Sequence, residues 1–362
     1  MLRDPIDLAH LNRVLVVILG HHGDVLLTSP MFQVLKNHAP HIEIDALVYA
    51  ETAPMLTLHP AISNVFVIDR SWKLERPWTR LRREISLFST LRDRRYDLIV
   101  HLSSNPRGPW LKRLLRIRYG IAPKIHGRSR AAWNSFTHFF PLADRRHMVE
   151  RNLDALRRVG VSPAPEERRL VLEPGATAFE SVRALMRDHG LMQKGFVQFH
   201  GGSRWMFKTW PSDKIAVLLN QLVDDGHVIV LTGAPDDQEM KMIKQILSLT
   251  NSNIVNFAGR LSLKELAALS AQAALFVGVD SAPMHIAAAV GTPIVALFGP
   301  SSEITWGPWM VKHRVVTTTH SCRPCGYDGC GGGKLSECLT ALPVEQVLAA
   351  VREINKHQGS SE

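Results

Sequence analysis

Cysteine is scarce in this chain of 362 residues: there are four, all between Cys322 and Cys338. No disulfide framework can span the fold, which fits a reducing compartment. Long apolar runs are missing too. The run that ends at Leu19 falls far short of the ~20 residues that a membrane helix needs, and it is too short for a secretory leader. The expectation is a protein that stays in the cytosol. Nucleotide signatures are absent as well. The Gly-rich stretch before Lys334 has Asp328 where a phosphate loop needs its leading glycine, and Leu335 where it needs Ser or Thr. After the first strand the chain reads Gly20, His21, His22, Gly23, Asp24, which is not the dinucleotide fingerprint and disfavours a Rossmann dehydrogenase. No Asp-x-Asp pair is available to hold a metal. With only four Tyr and no aromatic RNA-reading motif, nothing marks a dedicated nucleic-acid reader.

Length and composition describe what is present. At 362 residues the chain exceeds one ordinary core, and 45% hydrophobic with 21% charged residues is globular usage, so two domains are expected. Charge is unevenly spread. Lys plus Arg against Asp plus Glu is 27 against 18 in residues 1–180, and 16 against 15 in residues 181–362. Residues 70–130 alone hold 17 against 4, a local excess that attracts a polyanionic partner. Nucleic acid, anionic lipid and a phosphorylated glycan all qualify.

Apolar strands alternate with helical patterns. RVLVVIL (13–19), HIEIDALVY (41–49), VFVI (65–68) and DLIVHL (97–102) read as strands, with a helix over 80–94 before the last. The pattern restarts at FVQFH (196–200) and runs through HVIVLTG, IVNFAG, LFVGVD and PIVALFGP, with helices between. Such alternation predicts parallel βαβ units with ligands at the carboxyl ends of the strands. The fold class is therefore α/β: two doubly wound domains facing across a cleft, over 1–180 and 181–343. A linker is expected near 174–195, and a final helix and tail over 344–362.

Three loops carry the chemistry. Asp24 stands at the first strand end, where it suits both a helix cap and a catalytic base. His21 and His22 shape that loop. In HGGSRWMFKTWP, Gly201 and Gly202 permit close approach of phosphate, Ser203 offers a hydroxyl and Lys208 a point charge. Trp205 and Trp210 read as packing residues. In GVDSAPMHIAAAVGTP, Asp280 and Ser281 sit at a strand-to-helix turn whose first amides form an anion site, and His285 lies in the opening turns. Together with Lys208, these residues predict a diphosphate site.

At these residues the sequence resembles glycosyltransferase family 9, the ADP-heptose:lipopolysaccharide heptosyltransferases, and its paired-histidine loop looks most like the heptosyltransferase III branch. The resemblance covers the GD loop, the Lys-Thr-Trp-Pro loop, VDSAPMH and the CxPC segment. It implies a GT-B architecture of two Rossmann-like domains, with acceptor binding in the N-terminal one and the nucleotide sugar in the C-terminal one. Carried over residue by residue, it implies Asp24 as the general base and Lys208 on the diphosphate. Ser203, Asp280, Ser281, Ala282 and His285 join the donor site. Asp237 would contact the nucleoside, with Asp236 and Glu239 as rivals, and Leu261 would lie beside the adenine. Ser281 and Ala282 depart from the Thr-Gly of heptosyltransferase I.

The implied reaction moves L-glycero-D-manno-heptose from ADP-heptose to the lipopolysaccharide inner core with inversion. No resident cofactor is expected, and Lys208 with the helix amides would meet the leaving-group charge in place of a metal. Arg70, Lys73, Arg76 and Arg80 are the acceptor-binding candidates, with Lys112, Arg113, Arg116 and Arg118 a second basic set. Their collective charge points to a phosphorylated acceptor at the inner membrane surface, and a monomer is the expected state. Cys322, Cys325, Cys330 and Cys338 leave both a structural metal and compact free thiols open. The competing functions are a heptosyltransferase II-like or other family 9 transferase with a different sugar, a nucleotide-sugar epimerase, and a nucleic-acid-binding protein.

Overall fold

Each half of the chain builds one six-stranded, all-parallel sheet, and the two sheets have the same strand topology. The computed structural model describes residues 4–125 and 133–356. Arg128 and Arg130 of the basic stretch, and the tail beyond Lys356, lie outside the described residues. The chain divides into unit 1, Met1–Glu173, and unit 2, Pro174–Glu362.

In unit 1 the strands are β1 (Arg13–Val17), β2 (Glu43–Tyr49), β3 (Asn64–Ile68), β4 (Leu98–His101), β5 (Tyr119–Pro123) and β6 (His138–Phe140), in the spatial order 3-2-1-4-5-6. Its helices are α1 (His22–Leu26), α2 (Ser29–His38), α3 (Pro77–Asp93), α4 (Arg107–Leu114) and α5 (Met148–Arg157). The continuous apolar run of β1 has a simple cause: Val14 to Val17 are wholly buried because a parallel sheet is covered on both faces. Leu15, Val17 and Leu19 join Leu91, Ile117 and Phe136 in the core on one face, and the period of two turns Val14 and Val16 to the other.

Unit 2 repeats the order with β7 (Phe196–His200), β8 (Val228–Leu231), β9 (Val255–Asn256), β10 (Leu275–Val279), β11 (Ile294–Leu297) and β12 (His313–Val316). Its helices are α6 (Ala176–Asp188), α7 (Ser212–Asp224), α8 (Asp237–Leu249), α9 (Leu263–Gln272), α10 (Ala282–Ala289), α11 (Glu303–Trp306), α12 (Glu337–Thr340) and α13 (Val344–Lys356). Val197, Phe199, Ile229 and Leu231 pack on one face with α7, α8 and α13. Phe196 and Val230 pack on the other with α6 and α9.

Two placements differ from the sequence reading. The division falls at 173/174 and not at 180/181, and residues 176–188 are no linker. Ala178, Val182 and Met186 recur on one helical face and are buried with Phe196, Phe257 and Leu269, so α6 belongs to the core of unit 2. The final helix, whose partner unit the sequence leaves open, packs on unit 2: Val347, Val351 and Ile354 close its opposite core.

A candidate donor site and a basic cavity

Both sheets reverse strand order between their first and fourth strands in sequence, and loops leaving the carboxyl ends around that point form the ligand crevice of a doubly wound sheet. In unit 2 those loops leave β7 and β10. The β7 loop is anchored by Trp210, which is fully buried and donates its indole N–H to the Leu342 carbonyl (3.2 Å). Trp205, by contrast, is half-exposed and stacks near Phe207. A short 3-10 turn, Met206–Lys208, then brings the Lys208 ammonium 2.7 Å from Asp280 Oδ2 at the end of β10.

These two residues are 72 positions apart in sequence, and the structure joins them as an ion pair whose carboxylate is nearly buried. An ordered cation is the consequence, since a charge-assisted bond removes rotamer freedom from a long side chain. Beside it, α10 begins at Ala282 with Pro283 in its first turn. Ser281, its N-cap, turns its hydroxyl to the Val279 carbonyl (3.3 Å), and its side chain does not cap the helix. Pro283 has no N–H and Met284 donates its own to the Ser281 carbonyl (3.1 Å), so among the described residues the Ala282 amide and the helix dipole are what is left to an anion. His285 is buried on the second turn of the same helix.

The remaining donor candidates sit on neighbouring loops of the same edge. Ser203 is buried and accepts the Trp205 N–H (3.3 Å), which makes it a turn-former. The three acidic rivals separate cleanly. Asp236 caps α8 by accepting the Gln238 and Glu239 amides (3.0 and 3.2 Å). Glu239 is buried, 3.2 Å from His200 Nε2, and accepts the Ala234 amide (2.9 Å). Asp237 is exposed and has no side-chain partner among the described residues. Leu261 follows β9, packed against the core that contains Phe257. The structure shows no direct contact of Asp237 or Leu261 with the Lys208–Asp280 pair.

Gly202 serves a purpose other than the phosphate approach expected of it. A Cβ there would lie 1.9 Å from Glu239 Oε1, so the glycine makes room for a carboxylate of the chain itself. The His200–Glu239 pair was not legible in the sequence, because nothing in the spacing of a strand residue and a helix residue 39 positions later marks them as partners.

In unit 1, Asp24 lies in the first turn of α1 and its Oδ2 accepts the His21 amide (2.8 Å). Its other oxygen takes no bond among the described residues. Gly20 is required here, since a Cβ would sit 2.8 Å from Asp24 Cβ and 2.9 Å from its Oδ2. His22 Nε2 lies 2.9 Å from the Glu51 carbonyl and ties α1 to the segment after β2.

At the same edge a cavity of about 580 Å³ opens among the loops after β2, β3 and β4, and Arg70, Lys73 and Arg80 all line it. Arg76 is exposed and does not. Arg70 lies over the Tyr49 ring (3.9 Å) and pairs with Glu51 (3.1 Å). Arg107, which sequence reading passed over, also lines the cavity and grips Glu84 through two bonds of 2.7 Å. Lys73, Arg76 and Arg80 have no ion pair among the described residues.

Other cations of the basic stretch are structural. Arg94 serves the buried Asp45 (2.8 Å) together with Tyr96 (2.8 Å), and burial beside that carboxylate pushes the Tyr96 phenol up. Lys112 turns inward to the Ile117 carbonyl (3.0 Å), and burial lowers its pKa, so it is withdrawn from the second basic set. His101, the last residue of β4, is buried against Trp133 and Phe136, with burial pushing its pKa down to about 4. Its Nε2 lies 3.0 Å from the Asn105 carbonyl, and Asn105 lines the cavity.

The four thiols are free. Cys322 and Cys330 are exposed, Cys325 is half-buried and Cys338 is buried, with burial pushing its thiol up. Among the described residues, no three His, Cys, Asp or Glu side chains stand as a ready metal site. No helix of the described residues is long and apolar enough to cross a membrane.

The chain can now be set beside known proteins. Over 290 residues it is 35% identical to lipopolysaccharide heptosyltransferase 3 of Escherichia coli, covering 80% of this chain and 84% of that one. A protein of the same name from E. coli strain K12 is 30% identical over 344 residues, 92% and 95% of the two chains. Among solved structures, the family 9 glycosyl transferase of Veillonella parvula DSM 2008 superposes with a TM-score of 0.79 at 23% identity, covering 95% of this chain and 97% of that one. The fold expected from the sequence, α/β with two Rossmann-like units, is the one observed. The model of glycosyltransferase family 9 (heptosyltransferase) matches residues 84–335, which takes in the basic cavity's Glu84 and Arg107, the Lys208 loop and the Asp280 turn: the chain belongs to glycosyltransferase family 9.

Proposed function

We propose that this enzyme is a heptosyltransferase of the III kind, which moves a heptose from ADP-heptose to a phosphorylated lipopolysaccharide core acceptor with inversion. The observation that carries the reading is the Lys208 ammonium fixed by Asp280 beside the N-terminus of α10, where the Ser281 side chain makes no capping bond. A fixed cation beside the positive end of a helix suits a diphosphate that gains charge as it leaves, and fixed donors need no reorganisation at that moment. Asp237, the one acidic rival left exposed and without a side-chain partner among the described residues, is assigned to the nucleoside. Ser281, Ala282 and His285 complete the donor loop.

Asp24 is assigned the base. The His21 amide holds one carboxylate oxygen, which orients the side chain and leaves the other for an acceptor hydroxyl. In the step proposed, that hydroxyl gives its proton to Asp24 as its oxygen bonds to the anomeric carbon. The bond from that carbon to the diphosphate breaks, and ADP leaves with the electron pair. Arg70, Lys73 and Arg80 around the cavity suit phosphate on the acceptor core, and Arg76 extends the positive field outside it. No resident cofactor enters this scheme.

The test is incubation with ADP-heptose and a series of defined truncated cores, read by mass. A gain of one heptose on a core that already carries the inner heptoses supports the III-like reading. Gain only on a core lacking the second heptose would make the enzyme II-like, and no gain on any core would overturn the proposal.

A further inference from the structure

The basic stretch of unit 1 is also where the largest exposed apolar side chains collect. Trp78, Leu81 and Ile85 stand at spacings of three and four on α3, so they share one face of the helix, and all three are exposed, Trp78 by 78%. Leu74, 91% exposed, precedes them in the 3-10 turn Arg70–Leu74, and Trp110 and Leu114 on α4 are more than half exposed at a spacing of four. A soluble surface scatters such residues singly, and a contiguous set rimmed by charge marks an interaction site. The rim here is cationic: Arg76, Arg80 and Arg82 on or beside α3, and Arg113 on α4, are all exposed.

We propose that the α3–α4 face docks the enzyme on an anionic phospholipid bilayer, with Trp78, Leu81, Ile85, Trp110 and Leu114 entering the headgroup boundary and the arginines meeting lipid phosphate. Aliphatic and indole side chains on one helix face with arginine beside them are the chemistry of an interfacial helix. The alternatives fit less well. A nucleic acid has no use for Leu74, Leu81, Ile85 and Leu114, because bases stack on aromatic rings. A second copy of the chain would bring the same positive field against itself.

A second observation ties the face to the site. An apolar groove of about 260 Å³ runs between α3 and α4, lined by Ile85, Phe88, Trp110 and Leu114. It shares Glu84, Arg107 and Trp110 with the basic cavity, so a polar compartment and an apolar one meet along the Glu84–Arg107 pair. An amphiphilic acceptor, phosphosugar at one end and acyl chains at the other, matches that juxtaposition. This last step rests on the proposed acceptor; the docking itself does not.

The experiment is co-sedimentation of the full chain with vesicles of phosphatidylethanolamine and phosphatidylglycerol, against phosphatidylcholine alone, for the wild type and the triple variant Trp78→Gln, Leu81→Gln, Ile85→Gln. Wild type is expected to partition onto the anionic vesicles, and the triple variant ~10-fold less, since area buried in the interface sets the affinity. Its thermal unfolding and its turnover on a water-soluble, deacylated acceptor should match wild type, while turnover on vesicle-embedded acceptor falls. The double variant Arg82→Gln, Arg113→Gln should lose the preference for anionic over neutral lipid. Equal binding to both vesicle types, or undiminished binding by the triple variant, would overturn the inference. So would a wild-type dimer that becomes monomeric in the triple variant, which would assign the face to self-association. Vesicle binding needs neither donor nor acceptor, so its failure is separate from failure of the proposed reaction.

Discussion

In unit 1 the chain leaves its first strand through Gly20–Asp24 and presents a carboxylate, whereas in unit 2 it leaves the corresponding strand through Gly201–Lys208 and presents an ammonium. The two sheets share one strand order, so these loops hold the same topological place. Their local engineering is also parallel. A side-chain carboxylate lies over Gly20 in one and over Gly202 in the other, Asp24 and Glu239 respectively, and each accepts a backbone amide. The fourth strands diverge again: β4 ends in a buried, neutral His101, and β10 runs into the charged Asp280. A doubly wound frame thus fixes where a functional group stands and leaves its charge to single residues.

The largest expected effect breaks the comparison on the side of unit 1. Asp24→Asn should lower turnover by ~10²- to 10⁴-fold, the usual contribution of a general base, while calorimetry shows ADP binding unchanged. Full turnover in that variant would remove Asp24 from the chemistry. Next comes the fourth-strand contrast. His101 is neutral in the fold with a pKa of about 4, and gains its proton near 6.5 once unfolded. Its contribution is complete above pH 6.5 and is lost as pH falls toward 4, by at most about 3 kcal/mol. Urea melts across that range should show the loss, and His101→Gln should flatten it.

On the side of unit 2, Lys208→Ala removes a charge-assisted contact, and ADP affinity should fall ~10- to 100-fold with the acceptor KM unchanged. Unaltered ADP affinity would place the diphosphate elsewhere. The smallest effects test the parallel glycines. Gly20→Ala and Gly202→Ala each force a carboxylate out of its place, at a stability cost of about 1 to 3 kcal/mol by thermal melts. Only Gly20→Ala should also depress kcat, because only its carboxylate is assigned to the reaction.

Much of this was readable in the chain. The apolar runs of β1, β4, β7 and β10 announce buried parallel strands, and the Gly-Asp, Lys-Thr-Trp-Pro and Val-Asp-Ser-Ala-Pro segments mark the loops that carry the candidate residues. Residues 176–188 were misplaced because the Pro174–Gly175 turn before them looks like a linker, while the apolar face of α6 becomes informative only against Phe196 and Phe257. The basic stretch was legible as charge and not as role. Arg94 holds Asp45, Lys112 points inward and Arg107 locks Glu84, and sequence spacing does not encode such partners.

By itself the sequence determined the alternation of strands and helices, the two units, the family and the loops that bear chemistry, because each follows from local periodicity or a short motif. Tertiary structure alone decided which charges are available. It joined Lys208 to Asp280, sorted Asp237 from its two neighbours, and set Ile85, on the exposed face of α3, beside Trp110 and Leu114 of α4. Ion pairing, burial and surface contiguity are properties of distances in space, and residues far apart in the chain acquire those distances only when the sheets and helices pack.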